Sequence, residues 1–118
     1  MREIHFYRTE SGSCPVEEFL NALSGQQAQK IAWVLQLIEE FDFVPKQYFK
    51  KLAGTDDLWE VRVQYSGNIF RLLGFLDGNN HLVVLNHAFQ KKTHKTPSKE
   101  IKIAENRKKD YLNRKKSQ

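Results

Sequence analysis

The sequence has little cysteine and no long apolar run. Its single cysteine, Cys14, excludes an internal disulfide framework and a zinc site built from cysteines. No apolar stretch approaches the roughly 18 residues that a membrane-crossing helix requires. The first ten residues, MREIHFYRTE, also lack the apolar segment of a secretory signal peptide. We therefore expect a cytoplasmic protein that makes no use of a membrane.

The chain is long enough for one hydrophobic core and too short for two. It has 118 residues, of which 40% are apolar and 28% are charged, as in ordinary globular domains. We predict a single domain over residues 1–112, followed by a basic, disordered tail at 113–118.

The net charge of +5 is unevenly distributed along the chain. Residues 1–44 hold three Lys/Arg against seven Asp/Glu, a net of −4, whereas residues 45–118 hold sixteen against seven, a net of +9. A polarised basic surface is typical of proteins that bind a polyanion such as nucleic acid. The alternative is that the excess charge only provides solubility and a frayed tail.

Apolar periodicity and turn residues predict seven elements. In chain order they are a strand at 2–7, helices at 16–23 and 26–41, strands at 58–65, 68–76 and 81–89, and a helix at 96–112. The order β-α-α-β-β-β-α indicates an α+β domain. We expect an antiparallel sheet with a two-helix hairpin on one face and the C-terminal helix on the other. Trp33 and Trp59 are expected in the core.

Alternation along the predicted strands places two arginines on one face of the sheet. A two-residue loop at 66–67 sets Arg62 directly opposite Arg71, and a loop at 67–68 sets them diagonally. Facing arginines are unfavourable unless an anion lies between them, and the guanidinium fork matches phosphate oxygens. With Glu60 beside Arg62, this is a candidate phosphate site. The alternative is a weak surface ion pair, with Arg71 extending its charged end into solvent.

Lysines surround this face in the predicted arrangement. In the stretch NHAFQKKTHKTP, residues 86–97, three lysines and a histidine follow the predicted strand end at Phe89 and precede the start of the last helix. The lysines that we expect to contact RNA or to take part in the site are Lys50, Lys51, Lys91, Lys92 and Lys95. A solvated loop is the alternative for Lys50 and Lys51.

Three further polar positions have predicted places. A loop of two or four residues within 77–80 places Asn86 across from Arg71, where it would also contact RNA. His87 falls on the core face beside Leu85 and Phe89, which indicates a packing role. His81, His87 and His94 lack carboxylate or cysteine partners at useful spacing, so we expect no metal site.

Three segments together resemble a known family. LWEVRV, IFRLLGF and LVVLNHAFQKKTHKTP are similar, in this order, to toxins of the RelE/ParE superfamily, and more narrowly to the HigB-like, phage-derived branch of type II toxin–antitoxin systems. The resemblance covers nearly the whole chain and implies the same element order. It also implies an mRNA interferase that usually cuts mRNA on the ribosome, and a cognate antitoxin, commonly with a helix-turn-helix domain.

The resemblance assigns roles to four basic residues. Arg71 matches the strand arginine that holds the scissile phosphate, and Arg62 matches a basic residue on the preceding strand. Lys91 and Lys92 match the basic turn before the last helix. Where some relatives have a tyrosine after this turn, Thr93 and His94 stand here.

Cleavage through the ribose 2′-hydroxyl needs no metal or cofactor, but it needs a proton acceptor. Glu60 is the first candidate for this base by chemistry and His94 the second, and Lys91 or Lys92 could take part in proton transfer if neighbouring cations lower their pKa. Two other functions stay open. One is a non-catalytic basic domain that binds nucleic acid or a partner, such as a decayed phage toxin, and the other is a ParE-like toxin directed at gyrase.

Overall fold

The computed structural model describes residues 1–78, 81–92 and 95–117. Its elements are β1 (Glu3–Phe6), α1 (Pro15–Asn21), α2 (Gly25–Glu40), β2 (Phe49–Lys51), β3 (Trp59–Tyr65), β4 (Asn68–Asp77), β5 (Leu82–Lys91) and α3 (Ser98–Lys116). No helix in these ranges is long and apolar enough to span a membrane.

The five strands form one mixed sheet in the order β1-β5-β4-β3-β2. The three β-hairpin strands are antiparallel as expected, but β1 runs parallel to β5, so the prediction of an antiparallel sheet was wrong at this edge. The opposite edge holds β2, a strand that was not predicted. It has only three residues, too few for an alternating pattern to be recognised in the sequence.

Helices pack on both faces of the sheet, which is typical of an α+β domain. On the first face, Ile31, Val34 and Ile38 of α2 pack with inward residues of β3, β4 and β5 into the main core. Their spacings of three and four place them on one side of the helix. On the second face, α3 buries Ala104 against Leu58 and Leu73 and fits its C-terminal half over Phe75 and Val84. The predicted layers are therefore confirmed.

Two helix starts use different devices. Ser24 caps α2 in a capping box, because its side chain accepts from the Gln27 N–H and the Gln27 side chain accepts from the Ser24 N–H. At α1, Cys14 is the N-cap and makes no side-chain cap bond, and Pro15 opens the helix.

The β3–β4 hairpin confirms the direct pairing of the two arginines. Its loop is Ser66-Gly67, with φ values of 50° and 82°, which is the left-handed pair of a type I′ turn. This register sets Arg62 opposite Arg71.

A β-bulge at Asn86 changes the register between β4 and β5. Gly74 pairs with Leu85 but Leu73 pairs with His87, so Asn86 is the extra residue. The β4–β5 loop also lies further along the chain than predicted, because Asp77 pairs with Leu82. Its residues 79–80 lie outside the described ranges.

The bulge overturns three predicted side-chain positions. Phe89, not Asn86, lies opposite Arg71. Because an extra residue inverts the alternation, His87 and Phe89 lie on the α3 face rather than on the main core face. Asn86 has no exposed surface, and its side-chain amide donates to the Ala104 carbonyl oxygen at 2.9 Å. Contact between Asn86 and RNA, as predicted, would therefore require α3 to move.

Helix α3 continues through most of the segment that was predicted to be a disordered tail. The Arg114 guanidinium donates to Asp110 at 2.7 Å, and the Lys115 amine donates to Asp77 at 2.7 Å. Tyr7 also donates to Asp110, at 2.5 Å. The Lys115–Asp77 bond ties the end of α3 to the sheet, so residues 113–116 are helical and not the disordered tail that we expected.

Candidate phosphate site on the open half of the sheet

The second sheet face has a half that α3 leaves open, and the register lines it with polar side chains. Arg62, Arg71 and Phe89 form one row across β3, β4 and β5. The flanking rows are Lys50, Glu60, Leu73 and His87 on one side, and Gln64, Ile69 and Lys91 on the other. The consecutive strands β3, β4 and β5 thus bring Arg62, Arg71 and Lys91 onto one face, and β2 adds Lys50.

Glu60 lies between the two arginines. Its Oε1 atom is 3.6 Å from Arg62 Nε and 3.5 Å from Arg71 Nε, and only 3% of the residue is exposed. The Thr96 hydroxyl donates to the other oxygen, Oε2, at 2.6 Å. Both carboxylate oxygens are therefore engaged, which suits a counter-ion that orients the arginines.

Arg71 is a buried cation with an incomplete set of partners. The residue is 7% exposed, and its Nη1 donates to the Phe70 carbonyl oxygen at 3.1 Å. Within the described residues its buried Nε has no hydrogen-bond partner, although Glu60 lies close. Burial lowers the pKa of Arg71, Arg62 lowers it further, and Glu60 opposes both. The guanidinium stays charged, so its free N–H groups are available to an anion.

Lys91 is the lysine that the sheet brings nearest to this cation cluster. It is half-buried in the row next to Arg71. Burial lowers the pKa of the Lys91 amine from its usual value, the charge of Arg71 and then that of Arg62 lower it too, and Glu60 opposes them. A lowered pKa makes the amine a better proton-transfer group at neutral pH.

The remaining predicted lysines take different positions. Lys50 is exposed and pairs in register with Glu60, on the site's face. Lys51 pairs with Trp59 on the other face, and its amine forms an ion pair with Asp57 at 3.0 Å. The structure therefore separates these two neighbours.

The basic turn is described only at its ends. Lys92 and Lys95 are exposed there. Thr93 and His94, the second candidate for the base, lie outside the described residues.

A cleft of about 480 Å³ opens beside the two arginines. It is lined by Lys30, Val34, Gln47, Tyr48, Arg62, Val63, Gln64 and Arg71. From the sequence alone we did not predict that Thr96, or the cleft residues Lys30, Gln47, Tyr48 and Gln64, belong to the site. Gln64 alternates with Arg62 on the same strand, and that signal could have identified it.

Behind the site, His87 bridges the sheet and α3. Arg107 Nη1 lies 3.2 Å from His87 Nδ1, and His87 Nε2 lies 3.0 Å from Glu100 Oε1. Because a guanidinium only donates, Nδ1 accepts and the proton of the neutral ring sits on Nε2, facing Glu100. The ring also stacks on Phe89, with centroids 5.6 Å apart. His87 thus supports the residue opposite Arg71.

The His87 environment predicts a specific loss of stability in mild acid. Burial lowers the pKa of His87 and Arg107 lowers it further, against the effect of Glu100. Above the unfolded-state pKa of about 6.5 both states are neutral at this residue. As the pH falls below that value the unfolded state takes up a proton first, so the free energy of unfolding falls, by at most about 1.4 kcal/mol per pH unit, until the folded pKa is reached.

Urea unfolding at pH 7.5 and 5.5 measures this effect. A His87→Gln variant should lose less stability between the two pH values than the wild type, whereas the exposed His81→Gln should behave like the wild type. Equal losses of stability in all three proteins would show that protonation of His87 does not contribute to the loss.

The family of the chain follows from a sequence match that includes this site. Residues 18–109 match the family model described as Phage derived protein Gp49-like (DUF891). The chain belongs to this family. Gp49-like proteins are RelE-like toxins of toxin–antitoxin systems, which confirms the predicted relationship at that level and the phage-derived origin. The match spans every site residue from Lys30 to Arg107. No curated protein matches the chain.

Proposed function

We propose that this Gp49-like toxin belongs to the HigB-like branch and is a metal-independent endoribonuclease that cleaves mRNA on the ribosome. The observation that carries the proposal is the buried guanidinium of Arg71, directly opposite Arg62 and only partly hydrogen-bonded. Two facing cations at the mouth of a cleft favour a bound anion over any neutral ligand. The phosphodiester of RNA supplies that anion.

The reaction needs no group beyond the substrate and the side chains. The ribose 2′-oxygen attacks the adjacent phosphorus, the bond from phosphorus to the 5′-oxygen breaks, and a 2′,3′-cyclic phosphate and a free 5′-hydroxyl result. One proton leaves the 2′-hydroxyl and one reaches the departing 5′-oxygen. The protein must move these protons and stabilise the extra charge on the phosphate oxygens.

The structure suggests how the roles divide. Arg71 binds a non-bridging phosphate oxygen, and Arg62 binds the second. Glu60 holds both arginines in place, since its two oxygens are already engaged. Lys91, with its lowered pKa, is our candidate for proton transfer. His94 and Lys92 remain further candidates in the adjoining turn.

RNA on either side of the cleaved bond would meet additional cations. Lys50 extends the site across β2, and Lys92 and Lys95 flank it at the basic turn. Thr96, which contacts Glu60, lies just before the first residue of α3. The helix therefore begins beside the site, and its N-terminal N–H groups add positive potential there. Lys51 faces away from this site and would serve a more distant part of the RNA or the ribosome.

Two partners follow from the proposal. The toxin family suggests an antitoxin, for which we propose a helix-turn-helix DNA-binding protein. The second partner is the translating ribosome with its mRNA, in the cytoplasm.

Inducible expression with mapping of mRNA 5′ ends tests this function. We expect growth arrest and new 5′ ends within translated messages, and few in a message whose ribosome-binding site has been removed. Purified protein with ribosomes should leave 2′,3′-cyclic phosphate ends in the presence of a chelator, and should fail on an mRNA with a 2′-deoxy nucleotide at the cut. Normal growth with intact messages would indicate a non-catalytic binding domain. Growth arrest with DNA damage and intact messages would indicate a gyrase toxin.

A further inference from the structure

The edge of β3 is covered by another strand over only part of its length. Strand β2 pairs with β3 from Trp59 to Val61, and the Arg62 N–H donates to the Tyr48 carbonyl oxygen at 2.8 Å. From Val63 onward, no strand in the described part of the chain pairs with this edge. The cleft beside the arginines lies here, so it extends from the phosphate site around the open edge toward α2.

The outer part of this cleft carries two glutamine side chains whose amides are available for hydrogen bonding. Gln47 and Gln64 are both exposed and both line the cleft. Neither side chain has a hydrogen-bond partner among the residues that the structure describes. Each amide offers a donor and an acceptor, which is the pattern needed to bind the edge of a nucleobase.

An aromatic side chain, Tyr48, forms part of the wall of the cleft. Trp33 packs edge-on against Tyr48 with ring centroids 5.8 Å apart. Trp33 is 44% exposed, so the expectation that it lies in the core was wrong. The amine of Lys30 sits 4.4 Å from the Trp33 ring centroid, at the same end of the cleft. A half-buried tyrosine backed by an exposed tryptophan and a nearby cation suits stacking of a single-stranded nucleobase.

We propose that this cleft is a nucleobase subsite. It would hold the base of a nucleotide next to the phosphate bound by Arg62 and Arg71, with the ring against Tyr48 and its edge read by Gln47 and Gln64. The volume, about 480 Å³, lies within the range of small-ligand pockets. Lys30 would meet the following phosphate. The inference rests on the proposed function, and it makes these residues determinants of base preference rather than of cleavage itself.

A base-deletion series measures the subsite directly. The probe is a tetranucleotide with 2′-O-methyl groups throughout, which cannot be cleaved through the 2′-oxygen, and four variants that each lack one base. We expect the loss of one particular base to weaken binding roughly 5- to 150-fold, the range that stacking of one base contributes. Gln64→Ala and Tyr48→Leu should weaken binding of the intact probe and remove most of the penalty for that base.

Gln36→Ala is the matched control, because Gln36 is an exposed glutamine on α2 that lies outside the cleft lining and whose side chain bonds Glu40. It should leave every affinity unchanged. If removing the base weakens binding to the Gln64→Ala and Tyr48→Leu variants as much as it weakens binding to the wild type, the base lies elsewhere. The subsite is then rejected. The proposed function would still hold in that case if the wild type binds the probe and the Arg71→Ala variant does not. No binding of any probe by the wild type would also reject the subsite, whereas the proposed function is tested separately by cleavage of a translated message.

Discussion

An Arg71→Ala variant is expected to lose RNA cleavage by roughly 100- to 1,000-fold, the usual effect of removing one preorganised group that stabilises transition-state charge. Arg71 is the cation that the fold places deepest in the site, and Glu60 and Arg62 orient or complement it. In cells, growth arrest and the new mRNA 5′ ends should both disappear. The measurement is the rate of cleavage of a translated message, together with the urea midpoint of each purified protein.

Folding should change little in this variant, because one facing like charge is removed and Glu60 keeps Arg62 as its partner. Arg71→Lys keeps the positive charge but loses the forked guanidinium, so its activity should fall between that of the wild type and that of Arg71→Ala. Arg114→Ala is the matched control, since Arg114 bonds Asp110 at the far end of α3 and should affect stability alone. Cleavage by Arg71→Ala at the wild-type rate would remove the basis of the proposed mechanism.

The arginine pair could be predicted from the sequence because two local signals agree. Ser66 and Gly67 suit a two-residue turn, and the flanking strands alternate strictly, so the register follows from counting along the chain. The two-helix hairpin follows equally from the spacing of Ile31, Val34 and Ile38. Where one local pattern determines the geometry, the sequence is sufficient.

The β5 strand shows where such counting fails. A bulge adds one residue without a strong mark in the sequence, and each side chain beyond it changes face. His87 and Phe89 therefore moved from the predicted core to the side of Arg71. The parallel pairing of β1 with β5 is similarly non-local, since nothing within residues 2–7 specifies the partner strand.

The chemistry of Glu60 depended on a distant residue in the same way. By composition alone a carboxylate beside an arginine is a natural base. The Thr96 hydroxyl, 36 residues further along the chain, occupies one of its oxygens and changes the role that the geometry favours. The Thr-Pro sequence indicated a helix start, which α3 confirms, but not that the helix start touches the site.

Gly74→Ala should be the most destabilising single-methyl substitution available in the sheet. A Cβ at this position would lie 2.1 Å from the Val84 carbonyl oxygen and 2.9 Å from the Leu85 Cα. Both are backbone atoms of the paired strand, so no side chain can turn aside to make room. We expect the free energy of unfolding to fall by roughly 3 kcal/mol or more, at the upper end of the cost of overpacking. Urea denaturation measures it.

Gly25→Ala is the control, because a Cβ there meets nothing within 4 Å and the residue starts α2. It should be neutral or stabilise the fold by up to about 1 kcal/mol. If Gly74→Ala also proves neutral, the close approach beside the bulge is not part of the native sheet, and the placement of Phe89 opposite Arg71 must be revised. If it destabilises as expected, residual folded protein should cleave RNA more slowly, because the bulge that the glycine permits sets the wall of the phosphate site.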